Sequence, residues 1–330
     1  MDADALTDAR RAEWERLEQL SRASLDGAGV DELIVRYRAA SADLAELKTS
    51  VGDSPQSAYL STILVRARLR LTGASDNVLT LTARFFADQL PAALYRLRWT
   101  TLVVAVVFIA ISVGTAAWIS SDPALIATLG PPDMLEQYAD ESFTGYYTEN
   151  PAAVFMGMVW WNNFWIALQC VLFGVTGIWP VYILLQNAMG LGTAGAVMAA
   201  HDRADLMLLY ILPHGLLEMT SIFVAGAAGL HLFWSWVAPG HRSRGESLAA
   251  EGRSLATVAI GLILSLFLAG LIEGFVTGWS LPWPLKIGIG VAALAVFLVY
   301  MLVIGGRAYR RGETGDLVEY EAGTPRLLAG

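Results

Sequence analysis

Apolar residues follow two different patterns along this chain. In roughly the first 98 residues they recur at helical spacing among charged residues, whereas from about residue 100 to residue 305 they form long, nearly continuous runs. Trp14, Leu17 and Leu20 show the first pattern, since side chains three to four residues apart lie on one face of a helix. The first region therefore predicts a bundle of amphipathic helices, and the second predicts helices that cross a membrane.

The long apolar runs predict about six transmembrane helices. A membrane-spanning helix needs about 20 mostly apolar residues. The runs that meet this requirement cover 100–119, 152–175, 178–200, 206–237, 255–278 and 284–305. The fourth run is too long for one straight span, so we expect Pro213 and Gly215 to break it. The predicted fold class is an all-α polytopic membrane protein with an N-terminal soluble helical bundle.

Charge is divided in the same way as hydrophobicity. Residues 1–99 carry 13 basic and 14 acidic residues, whereas residues 100–306 carry 5 and 12. We therefore predict a cytosolic helical domain at 1–98, a transmembrane domain at 99–306 and a cytosolic polar tail at 307–330. The net charge of −8 argues against nucleic acid as a partner. The single cysteine, Cys170, excludes an internal disulfide and a cysteine metal site.

The distribution of Arg residues indicates how the spans are oriented. Arg residues lie before the first span, between the fourth and fifth, and after the sixth, whereas the loop at 121–151 has six acidic residues and no Lys or Arg. Basic residues favour the cytoplasmic side. Six spans put all three basic groups on that side, and five would separate the last two. We predict a multi-pass membrane protein with both termini in the cytoplasm.

Ionisable residues inside membrane spans are costly and often functional. His214 and Glu218 are four residues apart and share one helix face. Glu273 lies in the fifth span, beside glycines that recur every four residues and allow helices to approach closely. These glycines are Gly270, Gly274 and Gly278.

Three interpretations of His214 and Glu218 remain open. They hold the helix against its neighbours, bind an ion or proton, or form half of a metal site. A zinc hydrolase needs about three protein ligands and a general base, and no HExxH motif is present. We therefore predict no catalytic residue, no cofactor and no metal, and an intramembrane metallohydrolase is the least favoured alternative.

Amide side chains in the second and third spans join His214, Glu218 and Glu273 as candidate functional polar residues. Such amides hydrogen-bond between helices, or they line a polar cavity bounded by the second, third and fourth spans. The residues are Asn162, Asn163, Gln169, Gln186 and Asn187.

Several motifs together resemble the stage II sporulation protein M family. The membrane part contains WWNNFWIALQCVLFGVTG, LLQNAMGLGTAGAV and, most specifically, LPHGLLEMTSIFVAGAAGL. The cytosolic part contains YRAASADLAELKT, DSPQSAYLSTILVRARLRL and FFADQLPAALYRLRW. The positions that match family motifs are Asn163, Gly174, Gly177, Asn187, Pro213, His214, Gly215, Glu218, Gly226 and Gly229.

The resemblance implies a scaffold in the bacterial cytoplasmic membrane that is not itself a hydrolase. In endospore formers the family member anchors two peptidoglycan-remodelling proteins, sporulation proteins D and P. The expected partners are thus the lipid bilayer and other membrane or cell-wall-remodelling proteins, with an RDD-type membrane protein and a homo-oligomer as further candidates. The alternative function is an ion or small-molecule transporter or channel that uses His214 and Glu218.

Overall fold

The computed structural model describes residues 3–23, 25–50, 54–71, 78–145 and 151–316. All regular elements within these ranges are helical, which confirms the predicted all-α class. The chain divides into two compact units, Met1–Ala83 and Arg84–Gly330. Residues 146–150 of the acidic loop, including Glu149, and residues 317–330 of the predicted tail lie outside the described ranges.

The first unit is built from three long helices that pack on one another. They are α1 (Ala3–Arg22), α2 (Gly27–Ser50) and α3 (Pro55–Leu71), and α4 (Val78–Arg84) follows. The predicted apolar stripe forms the core, where Trp14 and Leu17 are almost fully buried. The indole Nε1 of Trp14 donates a hydrogen bond to the buried carboxylate of Asp43 at 2.9 Å, which ties α1 to α2.

Ion pairs on the surface of this bundle also join α1 to α2. Glu32 accepts hydrogen bonds from Arg16 at 2.9 Å and from Arg36 at 2.8 Å. These two guanidinium groups, with that of Arg16 contributing most, lower the pKa of the Glu32 carboxyl to about 2.

The second unit contains the apolar helices. A π-helical turn at Phe85–Gln89 leads into α5 (Leu90–Arg96) and α6 (Arg98–Ser120). Short helices follow at α7 (Pro123–Ala127), α8 (Pro132–Gln137) and α9 (Phe143–Gly145). The remaining helices are α10 (Ala152–Leu172), α11 (Ile178–Ala200), α12 (Ala204–Val237), α13 (Arg244–Ile272), α14 (Trp283–Val299) and α15 (Gly305–Arg310). A π-helical turn at Glu273–Thr277 extends α13, and another at Tyr300–Ile304 joins α14 to α15.

Within the described residues, five helical segments are long and apolar enough to cross a membrane, as expected for a polytopic membrane protein. They are Arg98–Ser120, Ile178–Ala200, Ala204–Val237, Arg244–Thr277 and Trp283–Arg310. The predicted second span corresponds to α10, whose 21 residues are long enough but are not part of this set. Three tryptophans and two asparagines lie at 160–165, in the middle of α10.

The expected break at Pro213 and Gly215 is wrong. α12 continues through both residues as one helix of 34 residues, roughly 50 Å long at 1.5 Å per residue. A proline inside a membrane helix is tolerated where neighbouring helices enclose the backbone it leaves unpaired. α14 packs closely on the α12 backbone beside Pro213, because a Cβ on Gly290 would lie 2.8 Å from the carbonyl oxygen of Leu212.

Close backbone contacts locate both ends of α10. At its start, a Cβ on Gly274 would lie 2.7 Å from the carbonyl oxygen of Ala152. At its end, the carbonyl of Cys170 lies against Gly229, and a Cβ on Gly174 would lie 2.8 Å from the Cα of Gly229. α10 therefore extends from the last turn of the α13 segment to the second half of α12.

Polar contacts join the beginning and the end of the second unit. Arg96, just before α6, donates hydrogen bonds to Glu251 at 2.7 Å and to the carbonyl oxygen of Thr314 at 3.0 Å. Arg253 forms two hydrogen bonds with Asp316, at 2.6 and 2.8 Å. The segment before the first apolar helix and the segment after the last one thus lie side by side.

Candidate functional site

Two neighbouring helices bring three ionisable side chains together. α12 carries His214 and Glu218 one turn apart, as their spacing predicts, and Glu273 begins the π-helical turn that extends α13. One nitrogen or oxygen atom from each residue lies within 4.8 Å of the other two. We call these three residues the His–Glu–Glu cluster.

The two ring nitrogens of His214 contact different side chains. Its Nδ1 lies 3.3 Å from the hydroxyl oxygen of Thr277, and its Nε2 lies 3.6 Å from Oε1 of Glu273. The Thr277 hydroxyl also lies 3.4 Å from the carbonyl oxygen of Ile272. Nδ1 of His214 therefore contacts the Thr277 hydroxyl, while Nε2 faces Glu273.

The cluster lies in the interior of the second unit. His214 is 5% exposed and Glu273 is 2% exposed, while Glu218 is half-buried. The second carboxylate oxygen of Glu273, Oε2, is buried without a hydrogen-bond partner among the described residues. A buried carboxylate is stable only when a proton, a cation or hydrogen-bond donors offset its lost hydration.

A lysine that sequence reasoning missed lies next to the cluster. The ammonium group of Lys286 donates to the carbonyl oxygen of Thr277 at 2.6 Å and lies 4.2 Å from the centre of the Trp283 ring. Lys286 is 4% exposed. The signal in the sequence was a single cation near the start of an otherwise apolar span, where ionisable residues are costly.

A second hydrogen bond between the same two helices was also missed. The hydroxyl of Ser221, less than one turn beyond Glu218, donates to the hydroxyl of Ser265 at 2.9 Å. Both serines are buried. Small hydroxyl residues are common in membrane helices, so the sequence carried no signal that singled out this pair.

The structure does not bring the predicted amide residues into the His–Glu–Glu cluster. Asn163 and Asn187 donate to the carbonyls of Val159 and Ile183 in their own helices, at 3.2 and 2.8 Å. Gln186 donates to the hydroxyl of Tyr182 at 3.0 Å. The two other amides differ in burial: Asn162 is exposed and Gln169 is half-buried.

The predicted packing glycines mostly lie at close contacts. Gly226 packs against Leu184, Gly215 against Ile211, and Gly270 against Met156. Gly177 has a φ of +68°, which other residues rarely adopt, and it faces the ring of Phe233. Gly278 is exposed, so the close contacts of the glycine row end at Gly274.

A large cavity among the described residues is apolar and does not include the cluster. It has a volume of about 890 Å³ and is lined by residues of α6, α11, α12 and the α14 segment, such as Phe108, Met219 and Leu298. This cavity is not the expected polar cavity, because its lining is apolar and includes the first and sixth spans instead of the second. α12 contributes to this cavity with Gly215 and Met219, while neighbouring positions form the cluster.

Comparison with known proteins agrees with the motifs of the membrane part. The family model for Stage II sporulation protein M matches residues 102–278, more than half of the chain. A model for a domain of unknown function, DUF8413, matches residues 4–73, which contain the first two cytosolic motifs. No curated protein and no solved structure matches the chain. The three cluster residues and the glycines that pack α10 and α12 lie inside the first match, and the chain belongs to the stage II sporulation protein M family.

Proposed function

We propose that the chain is a non-catalytic membrane scaffold that positions cell-envelope partners, including proteins that remodel peptidoglycan. Membership of the stage II sporulation protein M family supports this role. The observation that carries the proposal is the burial of the cluster, since His214 is 5% and Glu273 2% exposed. Catalysis or transport needs a path for its substrate, whereas packed polar residues between helices stabilise a fixed membrane domain.

We also propose six membrane crossings in the bacterial cytoplasmic membrane, with both termini in the cytoplasm. The hydrogen bond from Arg96 to the carbonyl of Thr314 supports an even number, because these residues flank the membrane helices and lie on one face. The five most apolar segments require one further crossing to reach an even number. α10 supplies it, since its ends contact Gly274 and Gly229 in the two neighbouring membrane helices.

The scaffold has two candidate contact surfaces, the N-terminal bundle and the acidic loop at 121–151. In the described part of the loop, α8 exposes Asp133 and Glu136 around Met134, which is 58% exposed. An apolar side chain rimmed by acids is a reasonable contact for a protein with basic and apolar residues. The candidates that we propose for this contact are cell-wall-remodelling proteins and RDD-type membrane proteins.

The test is crosslinking of the full-length protein in its native membrane, followed by mild detergent extraction and identification of the crosslinked peptides. We expect defined membrane or cell-wall-remodelling partners, with some crosslinks in the loop at 121–151. A double variant, Asp133→Asn with Glu136→Gln, should weaken recovery of the loop partner. The matched control is Asp202→Asn with Asp205→Asn, which removes one exposed acid between α11 and α12 and one in the first turn of α12. Recovery of the protein alone contradicts the scaffold, and equal recovery from both double variants contradicts the loop as its surface.

The second candidate function is transport of an ion or proton. One observation favours it, namely that two helices place three ionisable side chains together inside an apolar domain. Flux into proteoliposomes should then fall in a Glu218→Gln variant. Equal background flux in the wild type and the variant removes this candidate.

A further inference from the structure

We propose that the His–Glu–Glu cluster binds one divalent transition-metal ion of the zinc class, which cross-links α12 to the extension of α13. The donor set is one imidazole nitrogen and two carboxylates. Zinc accepts both kinds of ligand, whereas magnesium and calcium bind mainly oxygen. The proposal goes beyond the scaffold function, because a metal that holds two helices together is independent of which partners the protein binds.

The distances fit such an ion. Two ligands at 2.0–2.2 Å from a tetrahedral zinc lie roughly 3.4 Å from each other. The Nε2 of His214 and Oε1 of Glu273 are 3.6 Å apart. One ligand atom of Glu218 lies within 4.8 Å of those of both other residues, so a small side-chain rotation brings the third ligand into range.

The surroundings of the imidazole match those of a metal ligand. Metal-binding histidines usually hydrogen-bond through the other ring nitrogen, which fixes the tautomer and the orientation of the ring. In this protein Nδ1 of His214 bonds to the hydroxyl of Thr277, and Nε2 faces Glu273. A neutral Nε2 and an ionised carboxylate both offer lone pairs, so their proximity requires a cation or a proton between them.

The charge balance favours a divalent cation. Glu218 and Glu273 carry two negative charges when ionised, and Oε2 of Glu273 is buried without a hydrogen-bond partner among the described residues. The nearby cation, Lys286, donates to the carbonyl of Thr277. One divalent ion offsets both carboxylates and supplies a ligand position for the unpartnered oxygen.

The experiment measures metal binding by the purified full-length protein in nanodiscs. The protein is stripped with EDTA and titrated with Zn²⁺ in a chelator-buffered solution, and bound metal is counted by mass spectrometry. A parallel titration with Co²⁺ is followed by visible absorption, which reports a tetrahedral nitrogen and oxygen site. We expect one Zn²⁺ per chain, and a loss of affinity of at least tenfold in His214→Gln and in Glu273→Gln.

The matched controls are His231→Gln and Glu251→Gln. These residues form a second His–Glu pair between α12 and α13, with Nδ1 and Oε1 4.0 Å apart. We expect both control variants to keep the wild-type affinity. The wild-type measurements do not depend on any variant being folded, and only variants that elute as a single species are compared.

Three results overturn the proposal. The first is folded wild-type protein that binds less than one equivalent of either metal, which would indicate that the cluster shares a proton instead. The second is unchanged affinity in His214→Gln and Glu273→Gln, and the third is an equal loss in the controls. None of these results depends on partner recovery, so the metal site and the scaffold function succeed or fail separately.

Discussion

Replacing Gly174 with alanine tests the close contact between the turn after α10 and the second half of α12. The added Cβ would lie 2.8 Å from the Cα of Gly229 and 3.1 Å from its carbonyl oxygen. Non-bonded carbon atoms prefer about 3.5–4.0 Å, so the two backbone segments must separate by roughly 0.7 Å or more. Overpacking of this kind costs about 1–3 kcal/mol.

Gly190→Ala is the matched control for this substitution. A Cβ at Gly190 meets no atom within 4 Å, and the residue lies in the interior of α11. Alanine favours a helix over glycine by up to about 1 kcal/mol. The control should therefore be neutral or slightly stabilising, although the two substitutions add the same atom.

The assay is equilibrium unfolding of the purified full-length protein, followed by the fluorescence of its 11 tryptophans. We expect the free energy of unfolding to fall by about 1–3 kcal/mol in Gly174→Ala and not to fall in Gly190→Ala. If the two variants lie within about 0.5 kcal/mol of each other, the backbone contact between Gly174 and Gly229 is not a constraint and the reasoning is refuted.

Of three further predictions, two concern single hydrogen bonds and one concerns the ion pairs of Glu32. Trp14→Phe removes the donor to the buried Asp43 carboxylate and should destabilise the N-terminal bundle by about 1.5–3 kcal/mol, measured as faster hydrogen exchange in α1–α3 of the full-length chain. The pKa of Glu32 is lowered from 4.5 to about 2, so its ion pairs stabilise the bundle above pH 4.5, and this contribution is lost as the pH falls towards 2. Circular dichroism against pH should show a smaller loss over that window in Glu32→Gln, and an identical loss argues against these pairs. Ser221→Ala removes the hydrogen bond to Ser265 and should lower the free energy of unfolding by about 0.5–1.5 kcal/mol, whereas an unchanged value shows that this bond adds nothing.

The sequence was sufficient to predict the helical class and to name all three cluster residues as candidates, and it placed two of them together. Long apolar runs indicate membrane helices because a helix satisfies its backbone hydrogen bonds within one segment, as the bilayer interior requires. The four-residue spacing of His214 and Glu218 specifies a shared helix face. Glu273 was also a candidate, but its contact with His214 depends on how two helices pack, which spacing within one helix does not determine.

The remaining features depend on tertiary contacts. α12 stays continuous at Pro213, and α14 packs on the backbone there through the contact of Gly290 with Leu212. The π-helical turn at Glu273–Thr277 places Thr277 where it contacts both His214 and Lys286. The sequence of this turn has no feature that separates it from a regular α-helix.

The amide side chains show why residue type alone is a weak guide inside a membrane. Asn163 and Asn187 were expected to bond between helices, yet each donates to a carbonyl of the preceding turn. Such a bond is available to an asparagine in any helix, so it competes with every interhelical partner. Only the packed structure decides which of the two contacts is formed.

A double-mutant cycle between His214 and Glu273 tests the central claim that the cluster holds two membrane helices together. The variants are His214→Gln, Glu273→Gln and the double substitution, unfolded in nanodiscs with EDTA so that metal does not contribute. Because the two side chains are buried and 3.6 Å apart, we expect a coupling energy of about 1 kcal/mol or more. Effects that add within about 0.5 kcal/mol would show that the residues act independently and would contradict the account.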